Sequence, residues 1–323
     1  MVLEGGVDSG LVWAVAFDPD GKHFFDGTNN GIRRWRVADR QELGKQRGMD
    51  MYAISVSKDQ KWVVCGTRSG ASVWDATLRE QVAEVEGGKW VVAVDVAPDC
   101  TKFATGIDRD ASIWGITTGE RVLGPLQHGG VVYGTTFSPD GERLATVCYN
   151  DSTGTIRIFN AHNGDRLISI ENPIPYDSLL PIAWSTHGQR LLAVSKDYKI
   201  KSFDSSTGSP LAEWQIHDSN NDGPMSIALS ANGKFIASSA GHFVSLWDTS
   251  THTQLGIVED THNIQSIALS PDGCRLAAGS KVSGTSIIWN LGGILPDSYL
   301  PGNVSIPKVN DNIRSRNFVP VHA

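Results

Sequence analysis

Short apolar runs separated by tight turns recur along the chain, and residues 131–160 hold the clearest copy. An apolar run there reaches a Ser-Pro-Asp-Gly turn at 138–141 and resumes at Leu144. After a polar loop it ends in the alternating run Ile-Arg-Ile-Phe at 156–159. Proline fixes φ and glycine accepts a positive φ, which is turn chemistry. Apolar residues at every second position indicate a half-buried strand. The stretch therefore predicts three short antiparallel strands.

The same unit recurs at spacings between 39 and 47 residues, and turn remnants follow each first strand. A period near 40 with four strands per unit is typical of a propeller blade. The first strands end at Phe17, Val56, Val96, Phe137, Trp184, Leu229 and Leu269. The third strand of each unit ends in an aromatic residue that we predict to be structural, packed in the core: Trp35, Trp74, Trp114, Phe159, Phe203, Trp247 and Trp289.

The sequence resembles the WD-repeat β-propeller family, since Trp-Asp pairs stand at 74–75 and 247–248 within seven registered copies of turn plus aromatic. The resemblance covers residues 1–291. It implies an all-β fold, a seven-bladed propeller of four-stranded antiparallel blades around a central channel. We therefore expect one domain over residues 1–291 and an irregular C-terminal tail over residues 292–323.

The first residues look like the end of a unit. Leu-Glu-Gly-Gly at 3–6 matches Val-Glu-Gly-Gly at 85–88, which closes the second unit. The seventh unit supplies only three strands, so we expect the N-terminal strand to join the last blade and close the ring. Closure would remove two free sheet edges. The tail carries three prolines, and the alternative to irregular structure is docking on the last blade through Tyr299, Leu300 or Phe318.

The net charge and the cysteine spacing argue against some classes of function. A net charge of −7 and a pI near 5.7 argue against nucleic acid as a general partner. The basic run at 33–36 (Arg-Arg-Trp-Arg) alternates about a strand, so we interpret it as a solvated face. None of the four cysteines forms a C-x-x-C pair, and free thiols suit a reducing compartment. With no signal peptide and no apolar run long enough to span a bilayer, we expect a cytoplasmic monomer without membrane contact.

No motif for catalysis, metal or cofactor binding stands out. G-x-S-x-G, H-E-x-x-H and P-loop patterns are absent, and the Asp18–Asp20 pair falls in a turn. The family resemblance implies a buried hydrogen-bond set in each blade, with His128 at its histidine position. It places Thr67, Ser195, Ser239 and Ser280 at the hydroxyl position and Asp151 and Asp197 at the aspartate position. We therefore predict no enzyme, no cofactor and no metal site. The alternative is a propeller hydrolase or lyase with its site at the channel mouth.

The resemblance implies a peptide-binding rim where the inner strands begin. Large residues at that position are rich in the types that anchor protein interfaces. Packing between neighbouring blades is the competing explanation for them. The partner-binding residues predicted there, with polar selectors from loops on the same face, are Trp13, Tyr52, Trp90, Tyr133, Met225, Arg68, Arg109 and Lys196.

We therefore predict a non-catalytic scaffold or adaptor that binds protein or peptide partners on the propeller face carrying the starts of the inner strands. Residues 117–126 look like repeats attached to fungal NTPase-type signalling proteins, which implies an interaction or sensor module. An adaptor in a ligase or chromatin complex is a further alternative. Long loops at 150–154, 171–176 and 217–224 are other candidate recognition segments.

Overall fold

Seven antiparallel sheets of four strands each form a closed ring in the computed structural model of this chain. The structure describes residues 2–3, 10–150, 153–173, 181–216, 225–259, 263–280 and 284–301. The innermost strand of each sheet contacts the innermost strands of its two neighbours, and the last contacts the first. The predicted all-β, seven-bladed propeller is confirmed.

The strands of the described residues run in chain order through blades 1 to 7. Blades 1 and 2 are β2 Val12–Phe17, β3 His23–Thr28, β4 Gly31–Arg36, β5 Gln41–Arg47, and β6 Met51–Val56, β7 Trp62–Thr67, β8 Gly70–Asp75, β9 Gln81–Glu86. Blades 3 and 4 are β10 Val91–Val96, β11 Lys102–Ile107, β12 Asp110–Gly115, β13 Arg121–Gln127, and β14 Val131–Phe137, β15 Arg143–Asn150, β16 Thr153–Asn160, β17 Arg166–Glu171. Blades 5 and 6 are β18 Ile182–Trp184, β19 Arg190–Val194, β20 Lys199–Asp204, β21 Pro210–Gln215, and β22 Ile227–Leu229, β23 Phe235–Ala240, β24 Phe243–Asp248, β25 Gln254–Glu259. Blade 7 is β26 Ile264–Leu269, β27 Arg275–Ser280, β28 Ser286–Asn290 and the N-terminal β1 Val2–Leu3.

The N-terminal strand closes the ring, as the sequence predicted. β1 pairs antiparallel with β28, with Leu3 opposite Ser286. The same serine reaches into blade 1, where its hydroxyl donates to Asp26 Oδ2 at 2.8 Å. Asp26 is fully buried and also accepts two hydrogen bonds of 2.7 Å from Arg33. A buried charge is tolerated when it is paired and hydrogen-bonded, so this contact joins blades 1 and 7 across the closure.

The third-strand aromatics lie in the cores between blades. Trp35, for example, packs in one cluster with Val12 and Phe24 of its own blade and Ala277 and Ile288 of blade 7. Trp289 is half-buried against the cluster between blades 6 and 7. The other six are less than 9% exposed: Trp35, Trp74, Trp114, Phe159, Phe203 and Trp247.

Glycines in the second strands allow neighbouring blades to approach closely. A β-carbon on Gly66 would lie 2.4 Å from the carbonyl oxygen of Val91 in the next blade. On Gly106 it would lie 2.8 Å from Val132 Cγ1, and on Gly279 it would lie 2.5 Å from Val12 Cγ1. Glycine inside a strand often marks such a close backbone approach. The inner strand of the following blade occupies the space that a side chain at each of these glycines would need.

The chain continues beyond β28 along the ring. Short 3₁₀ helices form at Leu291–Gly293 and Asp297–Tyr299. Leu291 and Leu295 are buried in the cluster between blades 6 and 7, with Tyr299 and Leu300 packed beside them. The chain after β28 therefore docks on the ring through Tyr299 and Leu300. Its polar contacts are with blade 6, whereas the sequence led us to expect contacts with the last blade. Phe318 lies outside the described residues, and the boundary at residue 291 stays a prediction.

Among the described residues, no helix has the length and apolar character required to cross a bilayer.

We predict that Gly66→Ala lowers the melting temperature by about 3–8 °C, because an added methyl group must displace the backbone of blade 3, and overpacking costs about 1–3 kcal/mol. The matched control is Gly87→Ala in the same blade, where the new β-carbon would meet only Ile107 Cδ1 at an ordinary 3.5 Å. Thermal melts followed by circular dichroism measure both. Equal melting temperatures for the two variants would contradict the close approach.

Candidate functional site

The inner strands begin on one face of the ring, which we call the rim face. Because neighbouring strands are antiparallel, the loops between second and third strands share it, and the first-to-second strand turns lie on the opposite, turn face. Where the ladder is fully described, the predicted rim residue is the extra residue of a β-bulge. Trp13, Tyr52 and Tyr133 each sit at a register shift near the start of an inner strand. A bulge re-aims a side chain, so these three residues depart from the regular alternation of their strands.

Three aromatic rings form a continuous row across blades 1 to 3, which we call the aromatic row: Trp13, Tyr52 and Trp90. The Trp13 and Tyr52 ring centroids are 5.4 Å apart in an edge-to-face arrangement. Tyr52 and Trp90 are stacked at 5.3 Å with 13° between their planes. Tyr52 is buried, whereas Trp90 is 53% exposed. The row therefore ends in a large, fixed and accessible indole.

Charged side chains border the exposed end of the row. The Arg68 guanidinium carbon lies 5.7 Å from the centre of the Trp90 ring, a cation–π distance. Arg68 also approaches Asp50 Oδ2 at 3.8 Å, and that oxygen accepts a hydrogen bond of 3.3 Å from the Tyr52 hydroxyl. Burial, together with the Asp50 charge, raises the pKa of Tyr52. Lys89 is paired with Asp108 at 2.7 Å, so the row meets both signs of charge.

The other predicted rim residues are only partly brought together. Tyr133 is half-buried, edge-on to Tyr149 at 6.4 Å, in blade 4. Arg109 is exposed in the loop between the second and third strands of blade 3. Lys196 is also exposed, but it belongs to blade 5, and blade 4 separates it from the row.

Met225 requires a correction. It is fully buried in the core between blades 5 and 6, so it offers no surface to a partner. The inner strand of blade 6 begins two residues later, at Ile227, so Met225 precedes the strand instead of standing in a bulge. Of the long loops, residues 151–152, 174–180 and 217–224 lie outside the described residues.

The basic run at 33–36 is a solvated face only in part, since the Arg36 side chain is 43% exposed and that of Arg34 is 15% exposed. Arg33 is buried and bound in bidentate fashion to Asp26. Arg34 lies 3.6 Å from Asp18, and Arg36 bonds to Asp39 at 2.8 Å. All three cations have protein partners, so the run is not a phosphate-binding patch.

His128 is a structural residue, as the sequence indicated. Its ring nitrogens bond to Leu126 O and to Thr146 Oγ1, both at 2.7 Å. Burial lowers the pKa of His128 to about 4, so it is neutral at physiological pH.

Of the residues predicted for the hydrogen-bond set, Ser195 donates to Asp197, as the family pattern implies, whereas the indole partners in blades 2, 3 and 6 are other residues. The indole N–H groups of the third-strand tryptophans donate to Ser72, Thr105 and Ser238. The predicted Thr67 instead bonds to the Gly70 carbonyl, and Ser239 to the backbone of Ser226. Ser238 is one residue before the predicted Ser239, and Ser72 lies on the third strand of blade 2 and not on the second.

Asp95 is a half-buried carboxylate that links three inner strands. It accepts hydrogen bonds from Phe137 N in blade 4 at 2.7 Å and from Ser55 Oγ in blade 2 at 3.3 Å. Burial raises the pKa of Asp95 to about 6. Every bond it makes is to a group that holds neighbouring blades together, so we interpret it as a structural link in the ring.

The turn of blade 1 departs from its repeats. In five of the other six blades a serine opens the turn, and blade 3 has Ala97. Ser138, for example, donates to Asp140 and accepts from Arg143 N at 3.0 Å. Blade 1 has Asp18 in that place, and its buried Oδ1 has no hydrogen-bond partner.

Asp18, Asp20 and His23 bring ligand-type atoms within 4.8 Å of one another. His23 Nδ1 bonds to Asp20 Oδ2 at 2.8 Å, and the Arg34 guanidinium already supplies positive charge to Asp18. Burial, and then the Asp20 charge, raise the pKa of Asp18. The cluster is therefore interpreted as an ionic turn whose charges are paired within the protein.

A family model described as WD domain, G-beta repeat (WD40) matches residues 1–36, 121–160, 208–248 and 253–290. Curated relatives include the eukaryotic translation initiation factor 3 subunit I of Scheffersomyces stipitis. It is 25% identical over 237 residues, which are 68% of this chain and 65% of the relative. The same subunit of Debaryomyces hansenii is 30% identical over 52% of this chain and 49% of the relative. The match thus spans between about half and two thirds of these relatives' lengths.

Solved structures show the same fold at low identity. The β-propeller domain of Myceliophteria thermophila Cps50 (Swd1) superposes with a TM-score of 0.74 at 17% identity, covering 90% of this chain and 98% of that one. Kuenenia stuttgartiensis hydrazine synthase gives a TM-score of 0.76 at 15% identity, covering 90% and 99%. Because one of them is named for an enzyme activity, the shared fold by itself does not distinguish a scaffold from an enzyme.

We predict that Asp18→Ser raises the melting temperature at pH 7 by about 2–5 °C, since serine restores the turn bonds and removes a buried carboxylate. The folded pKa of Asp18 lies above its unfolded value. The wild type therefore loses stability as pH rises from the unfolded pKa through the folded one, and the gain should shrink at pH 4. Lys22→Ser, an exposed change in the same turn, is the control. A lower melting temperature for Asp18→Ser at pH 7 would contradict this reading.

Proposed function

This chain belongs to the WD-repeat β-propeller family, and from that premise we propose that it is a non-catalytic scaffold that binds a protein or peptide partner on the rim face. The binding surface would be the aromatic row with Arg68. Its partner would be a segment that places an apolar, aromatic or proline side chain against Trp90.

The exposed indole of Trp90 is the observation that carries the proposal. Leaving half of a large aromatic side chain in water forgoes hydrophobic stabilisation on the order of 1 kcal/mol. Stacking on the buried Tyr52 holds the ring in place, so little side-chain entropy remains to be lost on binding. Tryptophan, tyrosine and arginine are the residues that most often dominate interface energies.

The charges beside the row suggest how a partner would be oriented. Arg68 is 68% exposed and only loosely held by Asp50, so a carboxylate or backbone carbonyl of the partner can bond to it. Asp50 then remains as acceptor for the Tyr52 hydroxyl. An apolar contact flanked by one charge-assisted hydrogen bond gives specificity at a small surface.

The likeness to translation initiation factor 3 subunit I favours a subunit that works within a larger protein assembly. We propose such a role, in the cytosol. The free cysteines Cys65, Cys148 and Cys274 are buried, which suits a reducing compartment. A signalling role rests only on the sequence resemblance noted at residues 117–126.

An enzyme at the channel mouth is the second candidate, favoured by the raised pKa of Asp95 and by the named activity of hydrazine synthase on the same fold. Against an enzyme, the hydrogen bonds of Asp95 link neighbouring blades. Within the described residues, the histidines that hydrogen-bond do so to Asp20, to Leu126 and Thr146, and to Glu142. A histidine-activated serine or cysteine is not among these pairs.

The test is quantitative affinity purification with Trp90→Ala against the wild type. Losing an interface anchor costs about 2 kcal/mol or more, so partner recovery should fall by at least about tenfold. Leu167→Ala is the control, because Leu167 is equally exposed at 51% but lies on the outer strand of blade 4. Equal partner recovery from Trp90→Ala and the wild type would contradict the rim proposal.

A further inference from the structure

Blades 4 and 5 each contact the preceding blade through the turn between their third and fourth strands. Gly164 in blade 4 lies against Leu123 and Leu126 of blade 3, and Gly208 in blade 5 lies against Ile168 and Ile170 of blade 4. Blade 7 has no such turn leading into a fourth strand, because its fourth strand is β1. After β28 the chain is therefore free to continue over blade 6.

Residues 296–300, which we call the docking segment, are fixed to blade 6 on its turn face. The Tyr299 hydroxyl donates to Asp248 Oδ2 in a short hydrogen bond. Lys234 Nζ donates to Ser298 O at 2.6 Å, and Asn232 Nδ2 donates to Tyr299 O at 3.0 Å. Tyr299 and Leu300 pack on the same buried cluster as Leu255 of the outer strand. A tyrosine hydroxyl, two backbone carbonyls and an apolar side chain thus define this contact.

Blade 5 presents an aspartate, a leucine and two hydrogen-bond donors at the matching positions, around an open cavity of about 520 Å³. The turn residues His187 and Gln189 stand where blade 6 has Asn232 and Lys234, and both can donate to a carbonyl. Asp204 follows the third-strand aromatic as Asp248 does. Leu211 corresponds to Leu255, since Phe203 pairs with Pro210 as Trp247 pairs with Gln254. All four blade 5 residues line the cavity.

The polar groups on blade 5 are open to a partner, whereas their counterparts on blade 6 are hydrogen-bonded to the docking segment. Asp204 Oδ1 accepts from Ser206 and Thr207, as Asp248 Oδ1 does from Ser250 and Thr251. Asp204 Oδ2 accepts no hydrogen bond from the part of the chain that the structure describes, whereas Asp248 Oδ2 is bound to Tyr299. The hydrogen bonds from Ser206 hold the pKa of Asp204 at about 2, so it is a charged acceptor at neutral pH.

The blade 5 residues are also more exposed than their counterparts on blade 6. Leu211 is 50% exposed, and its counterpart Leu255 is half-buried beside the docking segment. Asp204 is half-buried, and its counterpart Asp248 is buried. Blade 5 therefore looks like blade 6 with the docking segment removed.

The other blades lack the combination. At the position of Asp204 the structure has Arg36, Gly115, Asn160 and Asn290 in blades 1, 3, 4 and 7. Blade 2 has Asp75, but its Oδ2 already accepts from the backbone N–H and hydroxyl of Thr77. Within the described residues, only Asp204 combines a charged carboxylate, an uncommitted oxygen and an exposed leucine.

We propose that the blade 5 cavity binds a short segment of a protein partner with the chemistry of the docking segment, a tyrosine followed by an aliphatic residue. The tyrosine hydroxyl donates to Asp204 Oδ2, and the flanking carbonyls accept from Gln189 and His187. The aliphatic side chain covers Leu211. An acidic residue two positions before the tyrosine, as Asp297 is in the docking segment, meets the exposed Arg190 at the cavity wall.

The contact is local and lies on the turn face, so it is independent of the aromatic row. Trp90→Ala should leave it unchanged, and Asp204→Asn should leave rim binding unchanged. The two proposals therefore fail separately.

The test is fluorescence anisotropy of the full chain with a labelled peptide of residues 293–301. The peptide with Tyr299→Phe differs only by the hydroxyl and should bind at least about tenfold more weakly, because a hydrogen bond to a charged acceptor is lost. Asp204→Asn in the chain keeps the turn acceptor Oδ1 and replaces Oδ2 by an amide that cannot accept. It should weaken the wild-type peptide by the same factor.

The controls distinguish blade 5 from its repeats. Asp75→Asn and Asp248→Asn should change the peptide affinity by less than about twofold. If Asp204→Asn lowers the melting temperature, Leu211→Ser, an exposed change, replaces it as the test variant. An affinity that responds to Asp248→Asn and not to Asp204→Asn would mean that the peptide exchanges with the chain's own segment, which overturns the proposal. So would the absence of saturable binding up to about 1 mM, both for the full chain and for a chain ending at Pro301.

Discussion

The ring closes only if the last blade is complete and packs against the first, and in this chain the fourth strand of the last blade comes from the opposite end of the sequence. β1 supplies only two described residues to the ladder, Val2 and Leu3. The closure is strengthened where Ser286 reaches from β28 to the buried Asp26–Arg33 pair of blade 1. Because each sheet buries its faces against its neighbours, an open seventh blade would expose both an edge and part of the adjoining core.

The way the ring closes also decides where the C-terminal residues go. With its fourth strand taken from the N-terminus, blade 7 releases the chain at Asn290, and the docking segment runs onto blade 6. Asp248 thereby acquires a tyrosine partner, while the equivalent Asp204 remains open to solvent. The turn face thus contains one filled and one open version of the same groove, while the aromatic row occupies the opposite face.

Much of the fold followed from local pattern. The turn residues and third-strand aromatics gave seven blades, and Leu-Glu-Gly-Gly at 3–6 indicated the closing strand, because both signals are short-range and repeated. The orientation of individual side chains was harder to predict from the sequence. Tyr52 and Met225 occupy matching positions, yet Tyr52 stacks in the aromatic row at the rim and Met225 lies in the core between blades 5 and 6. A bulge is present in blade 2, and the inner strand of blade 6 starts two residues after Met225.

Contacts between distant residues account for the remaining differences. The alternation around Trp35 gave no sign that Arg33 faces a buried aspartate, since Asp26 lies on the neighbouring strand. The open groove on blade 5 is likewise visible only by comparison with blade 6, where residues from the end of the chain fill its counterpart. The sequence predicted Tyr52 and Trp90 at the rim, but the geometry of their stack depends on how closely blades 2 and 3 approach at Gly66.

The most direct test of the closed ring is amide hydrogen exchange of Ser286–Asn290, compared between the full chain and a chain that begins at residue 9. In the full chain, we expect β28 to be protected as strongly as its counterpart β24, Phe243–Asp248, because both are internal strands. Without the first residues, the amides of β28 that face β1 should exchange like those of an edge strand. Identical exchange of β28 in the two chains would contradict the account.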